Sequence, residues 1–235
     1  MRWQEVYFDA NRARLVENFQ ALKSRINDVC RQVGRDPEEV SLVVASKYAT
    51  PEQLKALIPY GLNDIGENCA ADLIIKKNAV DKNIRWHFIG HLQKNKTKKV
   101  VGNAWLIHSL DSVELAAEVD RRAGEMGKVQ DALLQVNISK EESKFGFGEE
   151  EVMEALPQVA GLKNVNITGL MTIAPFIKDY EIIRQIFKRL RAIKEELNIM
   201  GFSNIKHLSM GMSNDYEIAI EEGATMIRIG SAIFS

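Results

Sequence analysis

The chain has 235 residues, 46% of them hydrophobic and 27% charged, which suits one large α/β domain with a sizeable core. Its 31 basic and 32 acidic residues leave a net charge of −1, so nothing general points to nucleic acid or to an anionic membrane surface as a partner. No apolar run is long enough to span a bilayer, residues 1–5 lack the features of a secretion signal, and the two cysteines, Cys30 and Cys69, have no metal-ligand spacing, so a reduced cytoplasmic protein is expected.

The first expected element is a helix over Glu5–Val33. Val6, Leu15, Phe19, Leu22, Ile26 and Val29 recur there at helical spacing, and Gly34 ends it. After Asp36-Pro37, strands and helices alternate. Apolar, β-rich runs predict strands at Ser41–Ser46, Leu62–Gly66, Arg85–Gly90, Trp105–Ser109, Ala132–Asn137, Val165–Leu170, Ile205–Ser209 and Met226–Gly230. Helical patterns lie near Pro51–Tyr60, Asn68–Ala79, Leu92–Val101, Ser112–Met126, Glu149–Ala160, Tyr180–Leu197 and Asp215–Glu222. This alternation fits a (β/α)8 TIM barrel, typically about 250 residues long. Seven helices follow strands, and the long N-terminal helix is expected to close the gap left in the outer ring. A doubly wound sheet would carry a glycine-rich first turn, where this chain has Ser46-Lys47-Tyr48-Ala49. No linker or shift of composition divides residues 1–235, which read as one domain.

Two late segments carry the strongest chemical signal. Leu208–Asp215 and Ile227–Phe234 each read as a short strand stopping at small residues. Gly211, Ser213, Gly230 and Ser231 leave backbone amides uncovered and supply hydroxyls, as a phosphate requires. The plainer alternative is a pair of connecting turns. Functional groups of such barrels sit at the C-terminal ends of strands. Lys47 directly follows the first strand run, where an amine beside apolar walls would lose hydration and favour the neutral nucleophile that forms an imine; the alternative is a solvated surface lysine. Arg228 lies two residues before Gly230 and is expected to point into the barrel mouth rather than into an outer ion pair. Asn68 reads equally as a helix N-cap or as an amide lining the mouth. His87 and His91 read first as satisfied core residues, and with His108 they make no convincing metal set. Lys94–Lys99 reads as a solvated basic face, and Lys140–Phe147 as a turn or a lid after the fifth strand.

The chain resembles the pyridoxal 5′-phosphate (PLP) homeostasis proteins, PLP-binding barrels of fold type III related to the N-terminal barrel of alanine racemase. The matching stretches are VVASK around Lys47, GEN at Gly66–Asn68, WHFIGHLQKNK at Trp86–Lys96, VNISKEESKFGF at Val136–Phe147, GLMTIAP at Gly169–Pro175, SMGMSNDYEIAI at Ser209–Ile220 and RIGSAIF at Arg228–Phe234. The resemblance implies PLP as cofactor, with Lys47 forming an internal aldimine and Arg228 facing the pyridine nitrogen. It implies that Ser213, Gly230 and Ser231 hold the phosphate, with Ser209 and Met210 nearby, and that Asn68 lines the ring pocket. Three features depart from the family pattern. Cys69 stands where a tyrosine is common, Ser231 stands where threonine is common, and the family usually continues past the position of Ser235 with glycine and a short basic tail.

The resemblance implies a non-catalytic cytoplasmic PLP-binding protein, a monomer engaged in PLP homeostasis that passes the cofactor transiently to apo-enzymes. The alternative is an amino-acid racemase or decarboxylase of the same barrel type, although those enzymes carry an additional β-domain that completes the active site. A Schiff-base aldolase of sugar phosphates is disfavoured by the place of Lys47 on strand one.

Overall fold

A computed structural model describes residues 2–81, 83–139, 141 and 145–235, with side chains from residue 11 onward. Strands β1 (Ser41–Ala45), β2 (Asp64–Glu67), β3 (Arg85–Phe88), β4 (Leu106–Leu110), β5 (Gln130–Gln135), β6 (Val165–Met171), β7 (His207–Ser209) and β8 (Met226–Ile229) pair in chain order. All pairs are parallel, and β8 returns to β1 with Val43 opposite Arg228, closing the barrel. The expected (β/α)8 barrel is the observed one.

Parallel strands covered on both faces read as near-continuous apolar runs, which is why they were legible. Successive residues nevertheless face opposite ways. Val44, Ile65, Trp86, Phe88, Ile107, Leu134, Ile227 and Ile229 face outward into the main core beneath the helices. Val43, Leu106, Leu133, Met171 and Met226 form a separate cluster, the barrel interior, with Ile89 and Ile173 packed against it.

The outer ring comprises α1 (Arg2–Gln32), α2 (Pro51–Leu57), α3 (Ala70–Ala79), α4 (Thr97–Val101), α5 (Val113–Glu125), α6 (Glu149–Ala160), α7 (Tyr180–Ile199), α8 (Tyr216–Glu221) and the single turn α9 (Ser231–Phe234). As expected, α1 fills the gap in the ring. It buries Leu15, Phe19, Leu22, Ile26 and Val29, spaced by three and four residues. The Arg25 guanidinium grips Glu217 on α8 at 2.8 and 2.5 Å, and the Asn18 side-chain amide donates to the Ile233 carbonyl of α9 at 3.3 Å.

Two expected helices are shorter than their patterns. Pro59 cannot donate to a helical ladder, and α2 gives way to a 3-10 turn over Ile58–Tyr60. Leu92–Val101 resolves into a 3-10 turn, Lys94–Lys96, and the short α4. Among the described residues, no helix is long and apolar enough to cross a membrane.

Candidate cofactor site

Strands β7, β8, β1 and β2 are consecutive in the barrel, so their C-terminal ends form one continuous arc. Inward parity runs through Val43 and Ala45 on β1 and through Asp64 and Gly66 on β2, and Lys47 and Asn68 follow just past the ends of these strands. Lys47 and Asn68 therefore both emerge at the C-terminal rim of two neighbouring strands, where Ala45 pairs with Gly66. Lys47 is exposed, its amine 4.9 Å from the centroid of the exposed Tyr48 ring. The expected apolar enclosure of this amine is a point on which the structure differs. β1 stops at Ala45, and the following turn, closed by Ala49 N donating to Ser46 O at 2.8 Å, lifts Lys47 clear of the packed strands.

That turn is held by a buried clamp which the sequence did not reveal. Ser46 Oγ donates to Glu67 Oε1 at 2.7 Å. Lys76 Nζ, from α3, donates to Glu67 Oε1 at 2.5 Å and to the Ser46 carbonyl at 2.6 Å. Glu67 Oε2 takes the Asn68 amide at 3.0 Å. With Lys76 only 10% and Glu67 0% exposed at the side chain, the pair fixes both Lys47 and Asn68 to the barrel rim. Asn68 is exposed and lies against the end of the β3 segment, where a Cβ on Gly90 would fall 2.2 Å from its carbonyl oxygen. The N-cap reading of Asn68 does not hold, since Cys69 occupies that position before α3.

The turns after β7 and β8 emerge together, because Arg228 N donates to Gly211 O at 2.9 Å and Met210 N to Met226 O at 3.1 Å. Gly230 is required by close approach, as a Cβ there would lie 2.8 Å from the Ala45 carbonyl of β1. Among the described residues, no acceptor meets the backbone amides of Ser213, Asn214, Ser231 or Ala232. Uncovered amides are usual where a helix opens. Here, with the half-buried Ser213 and exposed Ser231 hydroxyls, they form a donor-rich cradle that fits a phosphate. Asp215 turns away from it, its carboxylate accepting the Met212 amide at 2.5 Å, and burial pushes its carboxyl above the ordinary range.

Arg228 points into the barrel, one inward position below Gly230. Its Nη1 donates to Ser209 Oγ at 2.5 Å and its Nη2 to the Thr172 carbonyl at 2.9 Å. It forms no ion pair among the described residues, which removes the outer ion pair as an explanation. Burial pushes its guanidinium down to about 10, against the pull of the Asp215 charge.

Ser209 and Met210 lie differently from the other expected contacts. The Ser209 hydroxyl is committed to Arg228 and to His108 Nδ1, at 2.8 Å, inside the barrel rather than at the phosphate turns. The Met210 side chain is buried in the main core, leaving its backbone alone near the arc. Across the mouth, His91 pairs with Asp111 at 3.1 Å and stacks on Phe145 at 3.5 Å between ring centroids. Lys140 and residues 142–144, part of the expected turn or lid, lie outside the described residues. Among those described, no group of three or more histidine, cysteine or acidic side chains is arranged to hold a metal.

A family model described as alanine racemase, N-terminal domain, matches residues 11–235. The pyridoxal phosphate homeostasis protein of Aquifex aeolicus (strain VF5) is 41% identical over 219 residues, 93% of this chain and 96% of that protein. The chain belongs to the pyridoxal phosphate homeostasis protein family. A member-like structure, PipY of Synechococcus elongatus PCC7942 with PLP bound, is 32% identical with a TM-score of 0.83, covering 94% of this chain and 100% of that one. An alanine racemase of Clostridium difficile 630 shares the fold at 14% identity and a TM-score of 0.73, and this chain spans 56% of its length.

Proposed function

We propose that this chain binds pyridoxal 5′-phosphate across the β7–β8–β1–β2 arc through a reversible covalent link to Lys47, as a non-catalytic holder serving intracellular PLP homeostasis. The observation that carries this is the arc itself: one amine, one amide and a cluster of uncovered donors meet on four consecutive strands above a buried guanidinium. The cofactor, when bound, supplies an aldehyde that condenses with a primary amine and a ring that draws electrons.

Each residue then has a distinct task. Lys47 supplies the amine, and the Ser46–Glu67–Lys76 clamp holds its turn in place. Ser213, Gly230 and Ser231 donate to the phosphate, with the Met210 backbone alongside, and Asn68 borders the ring. Arg228 approaches the ring nitrogen. A guanidinium only donates hydrogen bonds, so it leaves that nitrogen unprotonated and the ring a weaker electron sink. Ser209 acts on the site through Arg228.

The holder reading is favoured over turnover by what surrounds Lys47. Stereospecific chemistry at an amino-acid α-carbon needs a positioned acid–base group. His87 and His108 are consumed deep in the barrel, and His91 is paired across the mouth. Tyr48 and Cys69 are both exposed. The 235-residue barrel acts in this reading as one domain and a cytoplasmic monomer that passes PLP transiently to apo-enzymes.

The test is to load the protein with PLP and incubate it with L- and D-amino acids and, separately, with an apo-enzyme. Transfer of PLP without racemisation or decarboxylation is expected. Turnover that disappears in Lys47→Ala would overturn the holder reading in favour of the racemase or decarboxylase alternative.

A further inference from the structure

A continuous hydrogen-bonded chain of side chains crosses the barrel interior beneath the arc. Arg228 Nη1 donates to Ser209 Oγ at 2.5 Å, and Ser209 Oγ meets His108 Nδ1 at 2.8 Å. His108 Nε2 meets His87 Nδ1 at 2.9 Å, and His87 Nε2 meets Asp64 Oδ1 at 2.9 Å. Asp64 Oδ2 accepts from Arg85 Nη2 at 2.6 Å. Asp64, His87, His108, Ser209 and Arg228 are all buried, and they come from five different strands.

We propose that Asp64, His87, His108 and Ser209 are positioning residues that fix the aim of the Arg228 guanidinium through a hydrogen-bond chain with one direction. The proposal rests on the reading of Arg228 given above only where the cofactor ring is concerned.

The two ends set the direction. A guanidinium only donates, and an ionised carboxylate only accepts. Burial pushes the Asp64 carboxyl up, but the hydrogen bonds from His87 and Arg85 outweigh it and hold the group below its ordinary value, so it is ionised. Ser209 takes the Arg228 proton on a lone pair, and its own hydrogen goes to His108 Nδ1. His108 must then carry its proton on Nε2 and give it to His87 Nδ1. His87 likewise carries its proton on Nε2 and gives it to Asp64. Both rings are neutral in this arrangement. Burial pushes both away from the charged form, most strongly for His108, which also faces the Arg228 charge.

The opposite arrangement fails at a named atom. A proton on His87 Nδ1 would face the His108 Nε2 proton. Relieving that contact moves the His108 proton to Nδ1, where it competes with Arg228 for the Ser209 oxygen and leaves the serine hydrogen without its partner. Arg228 has no ion pair among the described residues, so Ser209 Oγ and the Thr172 carbonyl are what hold its orientation. A barrel interior is ordinarily filled by branched apolar side chains, and well-packed apolar replacements for buried polar groups are often neutral or stabilising. Four polar side chains in register are explained by the orientation they impose.

The first test needs no cofactor. Nitrogen-resolved NMR of the ligand-free protein at pH 7 should find His87 and His108 neutral, each protonated on Nε2, and should find protected, resolved Arg228 guanidinium protons. Ser209→Ala and His108→Phe should erase the Arg228 signals, whereas His108→Asn, which keeps an acceptor for Ser209, should retain them. Should His108→Phe fail to fold, Ser209→Ala decides. Nδ1 protonation or a positive charge on His87 or His108 in the wild type, or Arg228 signals unchanged in Ser209→Ala, overturns the proposal. The second test reads PLP absorbance from pH 5 to 9. Ser209→Ala should bind PLP about tenfold more weakly with a shifted spectrum, and His108→Asn should resemble wild type. A Ser209→Ala spectrum and affinity equal to wild type would also overturn the proposal. Wild-type protein that keeps the Arg228 signals but binds no PLP overturns the cofactor reading and leaves the chain standing.

Discussion

Glu67→Gln removes the negative partner of a lysine that has nowhere else to place its charge. Lys76 Nζ sits 2.5 Å from Glu67 Oε1 and 2.6 Å from the Ser46 carbonyl, with its side chain 10% exposed. Glutamine keeps one oxygen for Ser46 and Lys76. Its NH2 group, however, then faces the Asn68 N–H that Glu67 Oε2 accepts at 3.0 Å, donor against donor. Breaking a buried pair by removing one partner costs about 3–5 kcal/mol. For a chain of this size each kcal/mol shifts Tm by about 2–4 °C, so Tm should fall by about 6–20 °C. Thermal unfolding followed by circular dichroism, without PLP, measures it. Adding Lys76→Met removes the stranded charge and should restore most of the stability. PLP binding should stay weak in that double variant, because the Ser46–Lys47 turn has lost its clamp. A Glu67→Gln protein melting within about 2 °C of wild type would refute the reasoning.

Gly230→Asp adds bulk 2.8 Å from the Ala45 carbonyl and a negative charge beside the cradle, so it should weaken PLP binding far more than Ser231→Thr, which keeps the hydroxyl. Equal affinities by fluorescence titration would remove the phosphate from these turns. Burial holds His108 and His87 below the ordinary histidine value of 6.5, so in the folded state they bind protons later than in the unfolded state as pH drops. Their contribution is complete above about pH 6.5 and is lost as pH falls towards the folded values, at up to about 1.4 kcal/mol per pH unit for each ring. Denaturant unfolding at pH 7, 6 and 5 should show that decline, flattened in His108→Asn; a flat wild-type profile contradicts the neutral pair.

The barrel was legible because the outward positions of its strands are apolar and α1, α3, α5, α6 and α7 are long enough to show their period. The turn α9 has only four residues, too few to show a helical period. Lys47, Asn68, Ser213, Gly230 and Ser231 stood out because strand ends in such a barrel converge on one mouth. Lys76 reads in sequence as one more lysine of an amphipathic helix, and only the docking of α3 against β1 and β2 brings it to Glu67. The interior chain was hidden for a related reason. His87, His108 and Ser209 lie on three strands, His108 and Ser209 101 positions apart, and each alone looks like a satisfied core residue. The available signal was parity: each occupies the same face of its strand as the inward apolar cluster.

The central claim is that Lys47 carries the cofactor at the mouth of this barrel. Incubation with PLP, reduction with borohydride and peptide mapping by mass spectrometry tests it directly. A single PLP-modified peptide containing Lys47 is expected, accompanied by an absorbance band that Lys47→Ala lacks. Modification of a different lysine in the wild-type protein, with Lys47 untouched, would contradict it.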